Sequence, residues 1–173
     1  MKKLSTYLFL ILFSFHTSSL VADIRDFEID GIAIGDSLLH YYSEKEIKKA
    51  KDNVFNNIYG SKKFTYVPIY SQNSKIYDEF DFWYKTNDKN YEIHSISGII
   101  HYDKNIDGCY KKLNEIDKEL SVLFKEAERR IEEYKSRADK SGKSIIKQIY
   151  YTFESGDGAL ISCYDWSKKM KEE

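Results

Sequence analysis

Hydrophobic positions along the chain change period several times, and each change marks an element. Phe27, Ile29, Ile32 and Ile34 make a short strand-like opening, with Gly31 allowing a switch of face. Asp36 or Ser37 then caps a helical turn from Leu38 to Tyr42. Ser43-x-x-Glu46 is a capping box for a second turn running to about Asp52. Asn56, Asn57 and Gly60 break that pattern. Phe64 to Tyr70 is rich in β-formers, and its Pro68 confines it to a sheet edge or a bulge. Glu79 to Thr86 alternates, with Phe80, Phe82 and Tyr84 on one face and Asp81, Trp83 and Lys85 on the other. Asn87 to Asn90 reads as a hairpin turn. Tyr91 to Tyr102 is the next strand; its apolar set changes parity between Ile93 and Ile96, which predicts a bulge near Ser95 or Gly98.

The longest periodic segment follows. Cys109, Leu113, Ile116, Leu120, Leu123, Ala127, Ile131 and Tyr134 recur at steps of 3 and 4, and charges fill the remaining positions. This predicts one helix from about Asp107 to Lys135 with a single apolar stripe. Arg137 to Ser144 is a polar break. Ile145 to Phe153 and Ala159 to Tyr164 read as strands around the turn Ser155-Gly156-Asp157-Gly158. The fold class is α+β: an antiparallel sheet of about five strands, one long helix packed across one face, and a short N-terminal helical segment. No internal repeat and no linker divides it. Residues 23–166 form one domain, and 167–173 are a charged tail expected to fray.

The first 22 residues stand outside this pattern. Lys2 and Lys3 precede the apolar run Tyr7 to Phe15; small and polar residues and then Leu20-Val21-Ala22 come before Asp23. This is the order of a cleaved signal peptide, with Ala22 as its last residue. The run is too short to cross a bilayer of roughly 30 Å as a helix. The expectation is a periplasmic or secreted protein with no membrane span after cleavage.

Composition adds bounds. Of 173 residues, 42% are hydrophobic and 32% charged, which describes a globular chain. Lys+Arg is 27 against Asp+Glu 28, a net charge of -1, so there is no electrostatic footprint for nucleic acid. Cys109 and Cys163 are the only cysteines. In an oxidising compartment an even pair reads as one disulfide. Their separation of 54 residues makes the bridge worth about 4 kcal/mol in the chain-entropy model. The pairing requires the last strand to run beneath the start of the long helix.

Four strings bear on chemistry. Gly35-Asp36-Ser37-Leu38 resembles the first block of the GDSL-type serine hydrolases, and the resemblance implies Ser37 as nucleophile. The family's later Gly-x-Asn-Asp block is not met, because Asn87-Asp88 follows Lys85-Thr86. No histidine has Asp three positions before it to act as base. The other reading of the string is a helix N-cap. Asp103-x-Asn105-x-Asp107-Gly108 matches the first half of a calcium loop, but the twelfth position is Asn114 where a bidentate Glu belongs. Asp103, Asn105 and Asp107 are therefore candidate ligands, and a polar turn in which Asp107 caps the helix is the alternative. Ser141-Gly142-Lys143-Ser144 ends like a phosphate-binding loop, but Arg137 stands where the first Gly should be; it reads as a surface loop. His40, His94 and His101 have no ligand spacing. Trp83 is the candidate binding residue: it lies on the face of its strand away from the expected helix, where an exposed indole could stack on a sugar or a partner; the other reading, and the preferred one, is that a second helix or the C-terminal tail covers it.

Over its mature length the chain resembles a family of small exported bacterial proteins of unassigned function. The resemblance lies in Ile32-Ala33-Ile34-Gly35-Asp36-Ser37-Leu38, Asp139-Lys140-Ser141-Gly142-Lys143-Ser144 and Ser162-Cys163-Tyr164-Asp165-Trp166-Ser167. It implies export and a shared fold, and no active site. The expected function is a non-enzymatic periplasmic protein that binds a partner protein or envelope component without a cofactor. An esterase using Ser37 and a calcium-stabilised module are the alternatives.

Overall fold

The computed structural model describes residue 24 and residues 27–52, 60–102 and 105–172. The export signal read in residues 1–22, the Asn56-Asn57 break and Asp103 lie outside the described residues. The elements run β1 (Glu28–Ile29), β2 (Ile32–Ala33), a 3-10 turn at Leu38–His40, α1 (Glu44–Lys51), β3 (Phe64–Tyr70), β4 (Glu79–Lys85), β5 (Ile93–Ile99), α2 (Ile106–Leu123), β6 (Glu128–Lys135), β7 (Ile145–Thr152), β8 (Gly158–Asp165) and α3 (Lys168–Glu172).

The local signals in the first half fold as their chemistry dictates. Asp30 and Gly31 both take positive φ, 55° and 78°, so β1 and β2 close as a tight hairpin where a simple change of face was expected. Ser37 caps the 3-10 turn. Ser43 and Glu46 make both halves of the capping box of α1: Ser43 N–H donates to Glu46 Oε2 at 2.8 Å and Glu46 N–H donates to Ser43 Oγ at 3.3 Å. β3, which contains Pro68, is an edge strand, and β4 is central. The register between β4 and β5 slips by one residue at His94, next to the expected bulge position.

The sheet arrangement departs from the expectation. Three antiparallel sheets, β1-β2, β3-β4-β5 and β6-β7-β8, replace the single sheet of about five strands. The cause is that each meander buries a face under its own helical segment. Leu38, Ile47, Val67, Phe82 and Ile93 form one core, between α1, the 3-10 turn and β3–β5. Leu113, Leu120, Phe124, Ile149, Tyr151 and Cys163 form a second, between α2 and β6–β8. The order of one helix followed by three strands thus occurs twice, although the sequences of the two halves do not repeat.

The long helix is also corrected. α2 ends at Leu123, and residues expected to continue it to Lys135 form strand β6. Phe124, only 4% exposed, leaves the helical conformation (φ -104°, ψ 52°) and drives its ring between Phe27, Tyr151 and Phe153, with centroids 5.8, 6.0 and 5.1 Å away. The chain then turns back and pairs with β7 through eight residues. A continuous helix would set Asp117 and Arg129 about 18 Å apart at 1.5 Å per residue. In the folded chain Arg129 Nε and Nη2 donate to the two Asp117 carboxylate oxygens, each at 2.7 Å, and Tyr151 Oη donates to Asp117 Oδ1 at 2.6 Å. The apolar steps at Ile131 and Tyr134 misled because both side chains are exposed, on opposite faces of an edge strand.

Of the C-terminal residues expected to fray, Ser167 and Lys171 contact the rest of the fold. Ser167 N–H donates to Ser144 Oγ at 2.9 Å, and Lys171 Nζ lies 3.6 Å from Asp165 Oδ1. Ser144 belongs to the loop that resembled a phosphate cradle. That loop wraps a carboxylate: Asp139, 4% exposed, accepts from Ser144 Oγ at 2.7 Å, Ser144 N–H at 3.0 Å, Ser141 N–H at 2.8 Å and Ser141 Oγ at 2.9 Å. The Ser144 hydroxyl, seconded by Ser141, holds the Asp139 carboxyl well below its ordinary value of 3.8. A depressed folded-state value contributes stability above 3.8 that is lost as pH falls below it. Asp139→Asn is expected to destabilise the protein at neutral pH and to flatten the acid limb of its stability profile below about pH 4, read by urea unfolding at successive pH values.

Candidate functional site

An apolar cleft of about 480 Å³ lies where β5 and the outer face of its sheet meet α2 and β8. Each wall follows from a local rule. Trp83 alternates with the buried Phe82 along β4, so it faces away from the first core and into the cleft. Ser95 and Ser97 on β5 continue that wall, and Ile96 and Ile100 carry it to the strand end. The apolar stripe of α2, from Cys109 through Leu113 and Ile116 to Leu120, is the opposite wall. Residues Gly158 to Cys163 of β8 form the floor, and Ile24, Phe27, Ile29 and Ile34 close the N-terminal side.

The Cys109–Cys163 disulfide is part of this wall. Its Cα atoms are 6.0 Å apart, and it ties the first turn of α2 to β8, the placement the sequence required. The helix starts one residue earlier than expected and its N-cap is Asn105, in place of Asp107. Asn105 Oδ1 accepts the Gly108 N–H at 3.0 Å. Gly108 has a reason to be glycine here, because a Cβ would come within 2.6 Å of the Asn105 amide.

Trp83 is partly buried, with the Tyr66 ring at 5.1 Å. Tyr66 Oη donates to Asp81 Oδ1 at 2.7 Å; burial pushes the Asp81 carboxyl above its ordinary value, and this hydrogen bond pulls it part of the way back. The lining holds one charged side chain, Lys112, and no carboxylate among the described residues. Burial raises the Tyr77 hydroxyl, the Asp30 charge adds to that shift and the Lys112 charge opposes it, with Glu119 a further small raising influence. The Lys112 ammonium pairs with Glu115 at 3.0 Å on the solvent side of α2.

The other candidates fall elsewhere. Ser37 Oγ donates to the Asn90 carbonyl at 2.5 Å and accepts from Leu39 N–H at 3.2 Å. Its proton is committed to the main chain, the geometry of a cap and not of a nucleophile facing a base. Of the calcium candidates, Asn105 is occupied as a cap and Asp107 lies in the first turn of α2. Among the described residues no three His, Cys, Asp or Glu side chains gather as a metal site. His94 packs edge-on against Phe64 at 5.6 Å, and His101 Nε2 lies 4.0 Å from Glu79 Oε2.

The sequence singled out Trp83 and both cysteines, and the cleft brings them together. It missed Tyr77, Lys112, Ile96 and Ile100. The parity change in β5 was the available signal, since a strand that changes face offers side chains to two cores. Among the described residues no helix is long and apolar enough to cross a membrane. No family model, no curated protein and no solved structure matches this chain.

Proposed function

We propose that this chain is an exported, non-enzymatic binding protein that holds an apolar small molecule of the cell envelope in the cleft beside Trp83. The cleft is the observation that carries the reading. Its volume of about 480 Å³ falls within the ~300–1,000 Å³ of small-molecule sites, and its lining is mostly apolar with a few polar groups. The signal read in residues 1–22 and the disulfide support export to the periplasm or beyond, where a structural bridge persists. The resemblance to small exported bacterial proteins agrees with that compartment.

The test is titration of the mature protein with N-phenyl-1-naphthylamine, a neutral dye that brightens in apolar surroundings. A saturable rise is expected, with Trp83 emission quenched in parallel. Ser97→Phe, which narrows the cleft from the β5 wall, should weaken the rise while leaving the circular dichroism spectrum unchanged. No saturable rise with the wild type, or undiminished binding in folded Ser97→Phe, overturns the cleft as the site. Ester turnover lost in Ser37→Ala would replace the reading with a hydrolase.

A further inference from the structure

We infer that the ligand of the cleft is a free single-chain amphiphile with one anionic head, of the fatty-acid type, whose chain lies along α2 and whose head sits at Lys112. This rests on the proposed binding function and adds the charge and shape of what is bound. The first ground is the charge of the lining: one cation and no carboxylate among the described residues, in a chain that is otherwise slightly acidic. A cationic head would meet no carboxylate among the described lining residues; Glu115, which holds the Lys112 ammonium, stands outside that lining. The second ground is where Lys112 sits. It is on α2 one residue before Leu113, so its stem borders the apolar stripe while its ammonium reaches the solvent side. Tyr77 and Tyr102 also belong to the lining, and both lie within electrostatic range of Lys112. An ammonium and two phenols form a donor set suited to a carboxylate.

The third ground is that the present partner of Lys112 is exchangeable. The Lys112–Glu115 pair joins neighbours on one helix, and both side chains are 45% exposed. Such pairs contribute little, so a ligand carboxylate can take the ammonium at small cost. The fourth is shape: Cys109, Lys112 and Ile116, each partly exposed, border the cleft on successive turns of α2, a track for an extended chain, while Leu113 and Leu120 beneath them are closed in the second core.

The experiment is displacement of bound N-phenyl-1-naphthylamine by three dodecyl compounds of equal chain length: laurate, dodecanol and dodecyltrimethylammonium, with phosphatidylglycerol vesicles as a fourth arm. Laurate is expected to displace the dye at the lowest concentration. Lys112→Met should lower the laurate-to-dodecanol affinity ratio about fivefold, each ligand being read by displacement of the dye at the dye's own affinity for the variant. Equal potency of laurate and dodecanol, or an unchanged laurate-to-dodecanol ratio in Lys112→Met, overturns the anionic-head assignment while the cleft stands. Displacement by vesicles without displacement by laurate assigns the site to bilayer lipid and overturns the free amphiphile. Failure of the dye to bind at all is the separate failure of the binding function.

Discussion

Replacing both members of the Cys109–Cys163 bridge with alanine is expected to lower the unfolding free energy by about 4 kcal/mol. The figure comes from the 54-residue separation that the bridge closes in the unfolded chain. Alanine is the right replacement because Cys163 is 1% exposed, and a serine hydroxyl there would add the cost of a buried polar group. The reduced wild type should show the same loss in guanidinium unfolding, since reduction removes the crosslink and keeps the sulfur atoms in place. If reduction costs almost nothing while the double alanine variant is strongly destabilised, the contribution lies in packing and the crosslink account fails. The bridge also sets the cleft, because α2 is held over β8 at its first turn and the cleft lies alongside. Dye binding is therefore expected to weaken on reduction as well.

The parts of this fold that were legible from sequence are those in which one residue type answers one backbone need. Ser43 and Glu46 satisfy two N–H groups at the start of α1, and no tertiary contact is required to predict it. Pro68 cannot donate to a ladder, so β3 was confined to an edge or a bulge, and it is the edge strand of its sheet. Phe80, Phe82 and Tyr84 alternate with Asp81, Trp83 and Lys85 on β4 and are all buried. The failure came where local pattern and long-range pairing disagree. Residues Glu128 to Lys135 have charges and good helix formers at helical spacing, yet β7 needs a partner along its outer edge, and eight residues of ladder outweigh that local preference. Two-sided exposure of an edge strand looks, in sequence, like the polar face of a helix.

The division into two cores was hidden for a related reason. Alternation shows that a strand has a buried face, and says nothing about which helix covers it. Nothing in the pattern of β3–β5 distinguishes burial under α1 from burial under the longer α2. The cleft inherits this limit, since it exists only because two separately covered sheets meet. Trp83 could be flagged because it opposed the apolar face of its own strand. Lys112 could not, because a lysine beside a leucine on a helix is ordinary until the facing wall is known.

Phe82→Ala is expected to cost about 3–5 kcal/mol, the range for removing a large aromatic from a core that cannot collapse. Phe82 is 0% exposed on the central strand of its sheet, opposite Val67 on one side and Ile96 on the other. The Tyr42 ring meets it edge-on at 5.7 Å and Phe80 lies 6.1 Å away, so backbone on both flanks and aromatic rings hold the cavity open. Trp83→Phe, on the opposite face of the same strand, is expected to change stability by far less, because its side chain borders the cleft. The location of the loss carries the stronger test. Amide exchange in Phe82→Ala should accelerate first in β3–β5 and α1, whereas the alanine pair at Cys109 and Cys163 should accelerate α2 and β6–β8 first. If both variants speed every amide equally, the two cores open as one unit and the cleft is an internal seam of a single layer pair. If they separate, the cleft lies between two units that open independently, and a bound ligand spanning β5 and α2 should slow exchange in both.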